Sequence, residues 1–277
     1  MKHTETIVLV HGLWMTPRSW EGFERFYERR GYRVFAPAWP HMKGEVEEIR
    51  RDPSALKGLG IAEIARHYEN FVRALPEPPI LMGHCFGGLI VQLLLHRGLG
   101  AAGVALGSPA PKGVWKRPFS GIKAIHPELR KPWNHARLIE LKRDEFLHGF
   151  ANIMSTGDAY DAYDRYIVPG PARPIIEHAF ANLDPWTPCA VDRTRAERAP
   201  LLLMSGAVDR QVSPAHVAAN RKKYRNSQPV TEYQELPLRS HFMIAQPGWS
   251  EVADTALSWA ESQLGFTTAT RMRAYAV

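Results

Sequence analysis

A thiol, an imidazole and a carboxylate stand at three places in this chain where a turn follows an apolar run: Cys85, His241 and Asp209. The first lies in Gly83-His84-Cys85-Phe86-Gly87-Gly88, between Ile80-Leu81-Met82 and the apolar stretch Leu89 to Leu95. A nucleophile on a sharp strand-to-helix turn leaves no room for side chains two places before and after it, and Gly83 and Gly87 occupy those places. Such a turn lifts the thiol above the sheet and aims the first N–H groups of the next helix at it. The apolar flanks favour this reading over a glycine-rich turn around an inert cysteine. A nucleophile also needs a base. His241, in Leu238-Arg239-Ser240-His241-Phe242, sits in a loop between the last expected strand and helix, and an imidazole beside a thiol favours the reactive thiolate. Asp209, just past Leu201-Leu202-Leu203-Met204-Ser205-Gly206, is placed to hold the ring N–H and stabilise an imidazolium. Asp184 and Asp192 are rival carboxylates in an irregular stretch. Backbone N–H groups of Leu13, after His11-Gly12, and of Phe86 are the expected donors to a developing oxyanion. His11 and His84 are expected to be structural or to shape the pocket; Trp14 and His84 are the candidates for substrate contact. His178 and His216 fall in helical patches and are expected to be solvated, as are Arg137 and Arg173.

Those residues must be carried by regular elements. Thr6 to Val10 is a short β-branched run, apolar throughout, as in a strand buried on both faces. Trp20, Phe23, Phe26 and Tyr27 recur at helical spacing between Pro17 and Arg30, and Gly31 ends that helix. Further strands are expected at Arg33 to Ala38, Ile80 to Met82, Gly103 to Leu106, Pro200 to Ser205 and Val230 to Leu236. Helices are expected at Ile61 to Leu75, Gly88 to His96, Pro214 to Tyr224 and Ser250 to Leu264. Strands alternating with helices predict an α/β fold, a mostly parallel sheet with helices on both faces. From about Pro109 to Ala199 the rhythm breaks. Helical patches are expected around Trp133 to Leu147 and Ile175 to Asn182, with no clear strand. This block reads as a mainly helical cap over the carboxyl ends of the strands, where open α/β sheets bind ligands. The resulting division is a core of residues 1–110 and 200–265, a cap of 111–199 and a flexible tail of 266–277. Most of the cap's aromatic residues, among them Trp115, Phe119, Trp133, Phe146, Phe150 and Trp186, are expected to fill its own small core. The remainder would line an apolar pocket.

Composition removes several classes of function. The chain has 277 residues, 45% of them hydrophobic, and carries 35 Lys and Arg against 28 Asp and Glu. That balance is basic, but the charges are scattered and form no aromatic-interleaved nucleic-acid motif. The N-terminal residues carry no signal-peptide pattern and no stretch approaches a bilayer span, so a cytoplasmic protein with no membrane partner is expected. The two cysteines, Cys85 and Cys189, make no disulfide framework. No CxxC, no HExxH and no phosphate-binding glycine loop is present, so neither metal nor cofactor is expected.

With its His11-Gly12 turn, its turn at Cys85 and the order nucleophile, acid, histidine, the chain resembles the α/β-hydrolase superfamily over nearly its whole length. The resemblance implies an eight-stranded sheet with a cap after the sixth strand, and hydrolysis of an ester, thioester or lactone through an acyl-enzyme. It departs at Cys85, where most members carry Ser; the cysteine is either native or a replacement of that serine. A thiolate leaves a tetrahedral intermediate more readily than an alkoxide, so activated or cyclic acyl groups on an apolar small molecule are the expected substrates. The alternatives are an acyltransferase or cyclase using the same three residues, a ligand-binding protein without turnover, and a lyase using His241 alone as base.

Overall fold

A computed structural model describes residues 4–115 and 135–265. Eight strands run β1 (Thr6–Val10), β2 (Arg33–Phe35), β3 (Ile80–His84), β4 (Ala102–Leu106), β5 (Leu138–Ile139), β6 (Gly170–Pro171), β7 (Leu201–Gly206) and β8 (Thr231–Leu236). The main sheet has six strands in the order β2-β1-β3-β4-β7-β8, and every neighbouring pair is parallel. All residues of β1, β3, β4 and β7 are buried. That explains why these strands read as unbroken apolar runs rather than as alternating ones.

Among the described residues the main sheet has six strands, fewer than the eight that the resemblance implied. The sheet ends at β2, whose Arg33 and Phe35 are exposed, so this edge is finished by side chains that tolerate water.

The helices are α1 (Glu21–Glu28), α2 (Val46–Arg51), α3 (Ile61–Arg73), α4 (Phe86–His96), α5 (Arg143–Gly149), α6 (Thr156–Tyr166), α7 (Arg173–Ala179), α8 (Pro214–Lys223) and α9 (Trp249–Leu264). The Tyr27 hydroxyl of α1 donates to the carbonyl of Ala253 in α9 at 3.0 Å. The central helix α4 is buried from Phe86 to Leu95. A helix apolar on every side belongs in the interior, and it leaves no polar stripe to read. The short helix α2 falls between the second expected strand and the helix expected from Ile61. Its start is fixed by a reciprocal cap, in which the Glu48 side chain accepts from the Glu45 N–H at 2.9 Å.

Between β4 and β7 the chain leaves the sheet. Helix α5 begins at Arg143 rather than in the low 130s, because Leu138–Ile139 is drawn into an antiparallel pair with Gly170–Pro171. There the Ile139 carbonyl accepts from the Trp14 indole at 3.0 Å, a tertiary contact that overrides local helix preference. Helix α6 is not among the expected helices: its inward stripe is only Ala159, Ala162, Tyr163 and Tyr166, two small and two amphipathic residues that make a weak apolar signal. Phe146 and Phe150 are buried, whereas Trp115 and Trp186 face outward. Phe119, Trp133 and the tail 266–277 lie outside the described residues. Arg173 is not a lone solvated cation: its guanidinium donates to Glu177 at 2.7 Å and to the Gly58 carbonyl at 3.1 Å. Among the described residues no helix is long and apolar enough to cross a membrane.

His178 and His216, expected in solvent, are both buried. Each serves the backbone of Ala110, where the chain enters the insertion. His216 Nε2 accepts from the Ala110 N–H at 2.9 Å, and His178 Nε2 donates to the Ala110 carbonyl at 2.8 Å. Burial lowers the pKa of His178 and keeps it neutral. Replacing His216 with Leu strands the buried amide of Ala110, and leaving such a donor unmet costs about 1–3 kcal/mol. Thermal unfolding of His216→Leu at neutral pH is therefore expected to lower the midpoint by several degrees, with no change in the circular dichroism of the folded state.

Candidate active site

Cys85 occupies the turn between β3 and α4 with φ 54° and ψ −125°, a conformation that L-residues with side chains rarely adopt. The turn holds because two backbones touch. A Cβ on Gly83 would lie 2.3 Å from the Gly87 carbonyl oxygen, and one on Gly87 would lie 2.0 Å from that of Val10. Any larger residue at either place drives β1, β3 and α4 apart. The Cys85 N–H donates to the Leu106 carbonyl at 2.9 Å, and its own carbonyl accepts from Gly88 at 2.9 Å. Phe86 opens helix α4, so its N–H belongs to the first turn of that helix, directly after Cys85.

His241 and Asp209 meet beside this turn. His241 Nδ1 lies 2.8 Å from Asp209 Oδ2, and both side chains are fully buried. The carboxylate accepts, so Nδ1 carries the proton and Nε2 is left for the thiol. The other oxygen of Asp209 accepts from the N–H groups of Gln211 and Val212 at 2.7 and 2.8 Å, which fixes its orientation. Asp184 and Asp192 are elsewhere, each accepting from the backbone of its own turn.

His241 Nε2 is buried with no fully formed hydrogen bond among the described residues. The Cys85 sulfur is close enough to act on it by charge and partial hydrogen bonding. Such contacts are often loose in a free enzyme and tighten when substrate arrives. Burial opposes a charge on His241, but Asp209 and then Cys85 outweigh it and raise the imidazole pKa well above its ordinary value.

The buried His84 and His11 go the opposite way. Burial lowers His84 well below the ordinary value, and the nearby positive charge of His241 adds to this. Neutral His84 donates from Nε2 to the carbonyl of His241 at 2.7 Å, so it holds the loop that carries that imidazole. His11 is brought down to about 4, again chiefly by burial. Its Nε2 accepts from the Trp39 N–H at 3.1 Å and its Nδ1 donates to the Gly12 carbonyl at 3.0 Å, which anchors the turn after β1. That turn lies against the nucleophile: a Cβ on Gly12 would sit 2.8 Å from the Cβ of Cys85. Leu13 follows, so its N–H and that of Phe86 come from the two segments that flank the sulfur. Trp14 is buried, with its indole bonded to Ile139 and its ring edge-on to Phe150 at 5.8 Å.

Two features of the site were not read from the sequence. Gly107, just past β4, has φ 53°, and a Cβ there would lie 3.2 Å from His241 Nδ1 and 3.3 Å from Asp209 Oδ2. A glycine directly after an apolar strand was the available signal. Phe150, from the insertion, packs edge-on to His241 at 4.8 Å, and its carbonyl accepts from the Phe242 N–H at 3.0 Å. Nothing local in the sequence marks that contact. Among the described residues no group of three or more His, Cys, Asp or Glu is placed to hold a metal ion. Cys189 is buried and free, and burial pushes its thiol up to about 12, which makes it inert beside Cys85.

Residues 7–254 match the model of the alpha/beta hydrolase family. The chain belongs to that family. Comparison with curated protein sequences gave no match. Among solved structures the chain is similar to a putative non-heme bromoperoxidase from Mycobacterium tuberculosis, with 15% identity, a TM-score of 0.68 and coverage of 95% of this chain and 93% of that one. It is similar to a pyrethroid hydrolase from Sphingobium faniae, with 19% identity, a TM-score of 0.67 and coverage of 95% and 100%. A monoacylglycerol lipase from Paleococcus ferrophilus is also similar, with 19% identity, a TM-score of 0.64 and coverage of 93% and 94%. At these identities the likeness establishes the fold.

The raised pKa of His241 ties stability to pH with a definite sign. A group whose pKa is higher in the folded state stabilises that state fully below its unfolded value, about 6.5 for His. That contribution is lost as pH rises through the folded value. Asp209→Asn removes the main charge responsible. The stability difference between the parent protein and Asp209→Asn, measured by chemical denaturation, is therefore expected to shrink steadily as pH rises above neutrality.

Proposed function

We propose that this protein is an acyl-cleaving hydrolase that forms a covalent thioester on Cys85, with His241 as acid–base and Asp209 as its orienter. The observation that carries the reading is the strained Cys85 backbone set beside a fully buried imidazole–carboxylate pair. Strain of this kind costs about 1–3 kcal/mol and persists where it serves a site. The lipase and the pyrethroid hydrolase among the similar structures add support for ester cleavage.

In this mechanism His241 Nε2 takes the thiol proton, and the sulfur attacks the acyl carbon. The carbonyl electrons move to oxygen, where the N–H groups of Leu13 and Phe86 meet the charge. As the bond to the leaving group breaks, the imidazolium returns the proton to it. Water, deprotonated by His241, then attacks the thioester, and the thiolate leaves and is reprotonated. Asp209 steadies the imidazolium through both halves and keeps its own negative charge. Because a thiolate is a better leaving group than an alkoxide, a plain ester tends to return to starting material, whereas thioesters and strained lactones go forward. The insertion between β4 and β7 acts as the cap over this site. A cytoplasmic setting suits a site that depends on a reduced thiol.

A transfer reaction is the second reading, and one observation favours it. Cys85 is 1% exposed and His241 is fully buried, so bulk water is kept from the thioester and a bound amine or alcohol acceptor competes well.

Intact-protein mass spectrometry after short incubation with a panel of acyl esters and thioesters tests the main reading. One acyl mass is expected on the parent protein and none on Cys85→Ala; adduct on both proteins would sink it. Steady-state rates for Cys85→Ser test the substrate class. The parent is expected to favour thioesters over oxyesters by more than about tenfold relative to Cys85→Ser, and a faster Cys85→Ser on simple esters would show a site built for serine.

A further inference from the structure

Gln211 follows Asp209 by two residues and is 1% exposed. Its backbone N–H is already committed to Asp209 Oδ1. Its side chain differs from those around it: both the amide nitrogen and the amide oxygen are buried without a hydrogen-bond partner among the described residues. Exchanging the two ends of the amide changes nothing, because both lack partners. A buried carboxamide left unmet is costly, and such groups are rare in folded proteins.

The place of this amide is specific. Its nitrogen lies 2.2 Å from where a Cβ on Gly149 would stand, so residue 149 must be glycine for Gln211 to lie there. The next residue, Phe150, is the one that packs edge-on to His241 at 4.8 Å. Asn152, two residues further, donates to the Val208 carbonyl at 3.1 Å and leaves its own side-chain oxygen buried and unmet. The seam between residues 149–152 and the loop of Asp209 therefore holds one unmet donor group and two unmet acceptors. It adjoins the reacting imidazole.

We propose that Gln211 is a specificity-determining residue whose carboxamide pairs with an uncharged substrate group that both donates and accepts, a carboxamide on the acyl chain. A neutral amide presents a donor and an acceptor side by side, which is what a second amide requires. A carboxylate would leave the Gln211 oxygen facing a lone pair, and an alkyl group would leave both of its ends unmet. A site built to bond a polar substrate group discriminates strongly against the analogue that lacks it, because the buried protein group is then stranded. This inference rests on the acyl-transfer reading given above.

The test uses thioesters in a short series of chain lengths, each made as a pair whose acyl chain ends in a carboxamide or in the isosteric isopropyl group. Values of kcat/KM and the acyl mass on Cys85 are measured for the parent, Gln211→Leu and Gln211→Met. At the best chain length the parent is expected to favour the carboxamide by about tenfold or more, in line with one buried polar pairing. Both variants are expected to bring that ratio close to one. Their thermal midpoints are expected to equal or exceed the parent's, because an unmet buried amide has been replaced by an apolar chain. Turnover with no carboxamide preference at any chain length overturns the role of Gln211 and leaves the nucleophile reading intact. So does a midpoint several degrees lower in both variants, which would mean that the amide is bonded within the folded protein. Absence of any adduct or turnover with either member of the pairs overturns the acyl-transfer reading and the role of Gln211 with it.

Discussion

The sulfur of Cys85 stands above the sheet because three backbone segments touch there with no side chain between them. Gly83 closes on the carbonyl of Gly87, and Gly87 closes on that of Val10. With β1, β3 and α4 at that distance, the residue between β3 and α4 has no ordinary conformation open to it and takes φ 54°. The strain, about 1–3 kcal/mol, is small beside what the same contact makes possible. Helix α4 buries Leu89, Ile90, Val91, Leu93, Leu94 and Leu95, and each such side chain contributes about 1.5–3 kcal/mol when fully buried. The strained turn is held in place by the central helix that begins at it.

Burial then sorts the histidines around the turn. His11, His84 and His241 are all fully buried, and burial disfavours a charge on each. For His11 and His84 a backbone hydrogen bond offsets that penalty only in part, and both stay neutral. For His241 the carboxylate of Asp209 reverses the sign. One ring favours the charged state while its two neighbours act as neutral, fixed hydrogen-bonding groups. The difference comes chiefly from the 2.8 Å contact with Asp209, with Cys85 adding to it.

The insertion is hydrogen-bonded to two loops beside Cys85. Through Ile139 and Val168 it bonds to Trp14, on the turn that supplies Leu13. Through the carbonyl of Phe150 it bonds to Phe242, the residue after His241. Both loops that complete the site around Cys85 are therefore tied to the same segment. A movement of that segment would be felt at the base and at the backbone N–H of Leu13 together.

Much of this was legible in the residue order because local rules govern it. Unbroken apolar runs mark β1, β3, β4 and β7, since strands buried on both faces have no polar alternation. Gly83 and Gly87 around Cys85 mark the turn, since only glycine fits where backbones meet. What the chain could not reveal is set by contacts between residues remote in sequence. Helix α6 has only a weak apolar stripe of alanines and tyrosines; β5 exists because Ile139 meets Trp14; His178 and His216 look like surface residues until both are found on Ala110. The residue order alone determined the α/β alternation and the types of side chain able to do chemistry. Only the tertiary structure decided that Asp209, and not Asp184 or Asp192, reaches His241, and that the Gln211 amide is buried against Gly149 without a hydrogen-bond partner among the described residues. A hydrogen bond across thirty or more residues depends on where the sheet delivers its loops, and no short stretch of sequence encodes that.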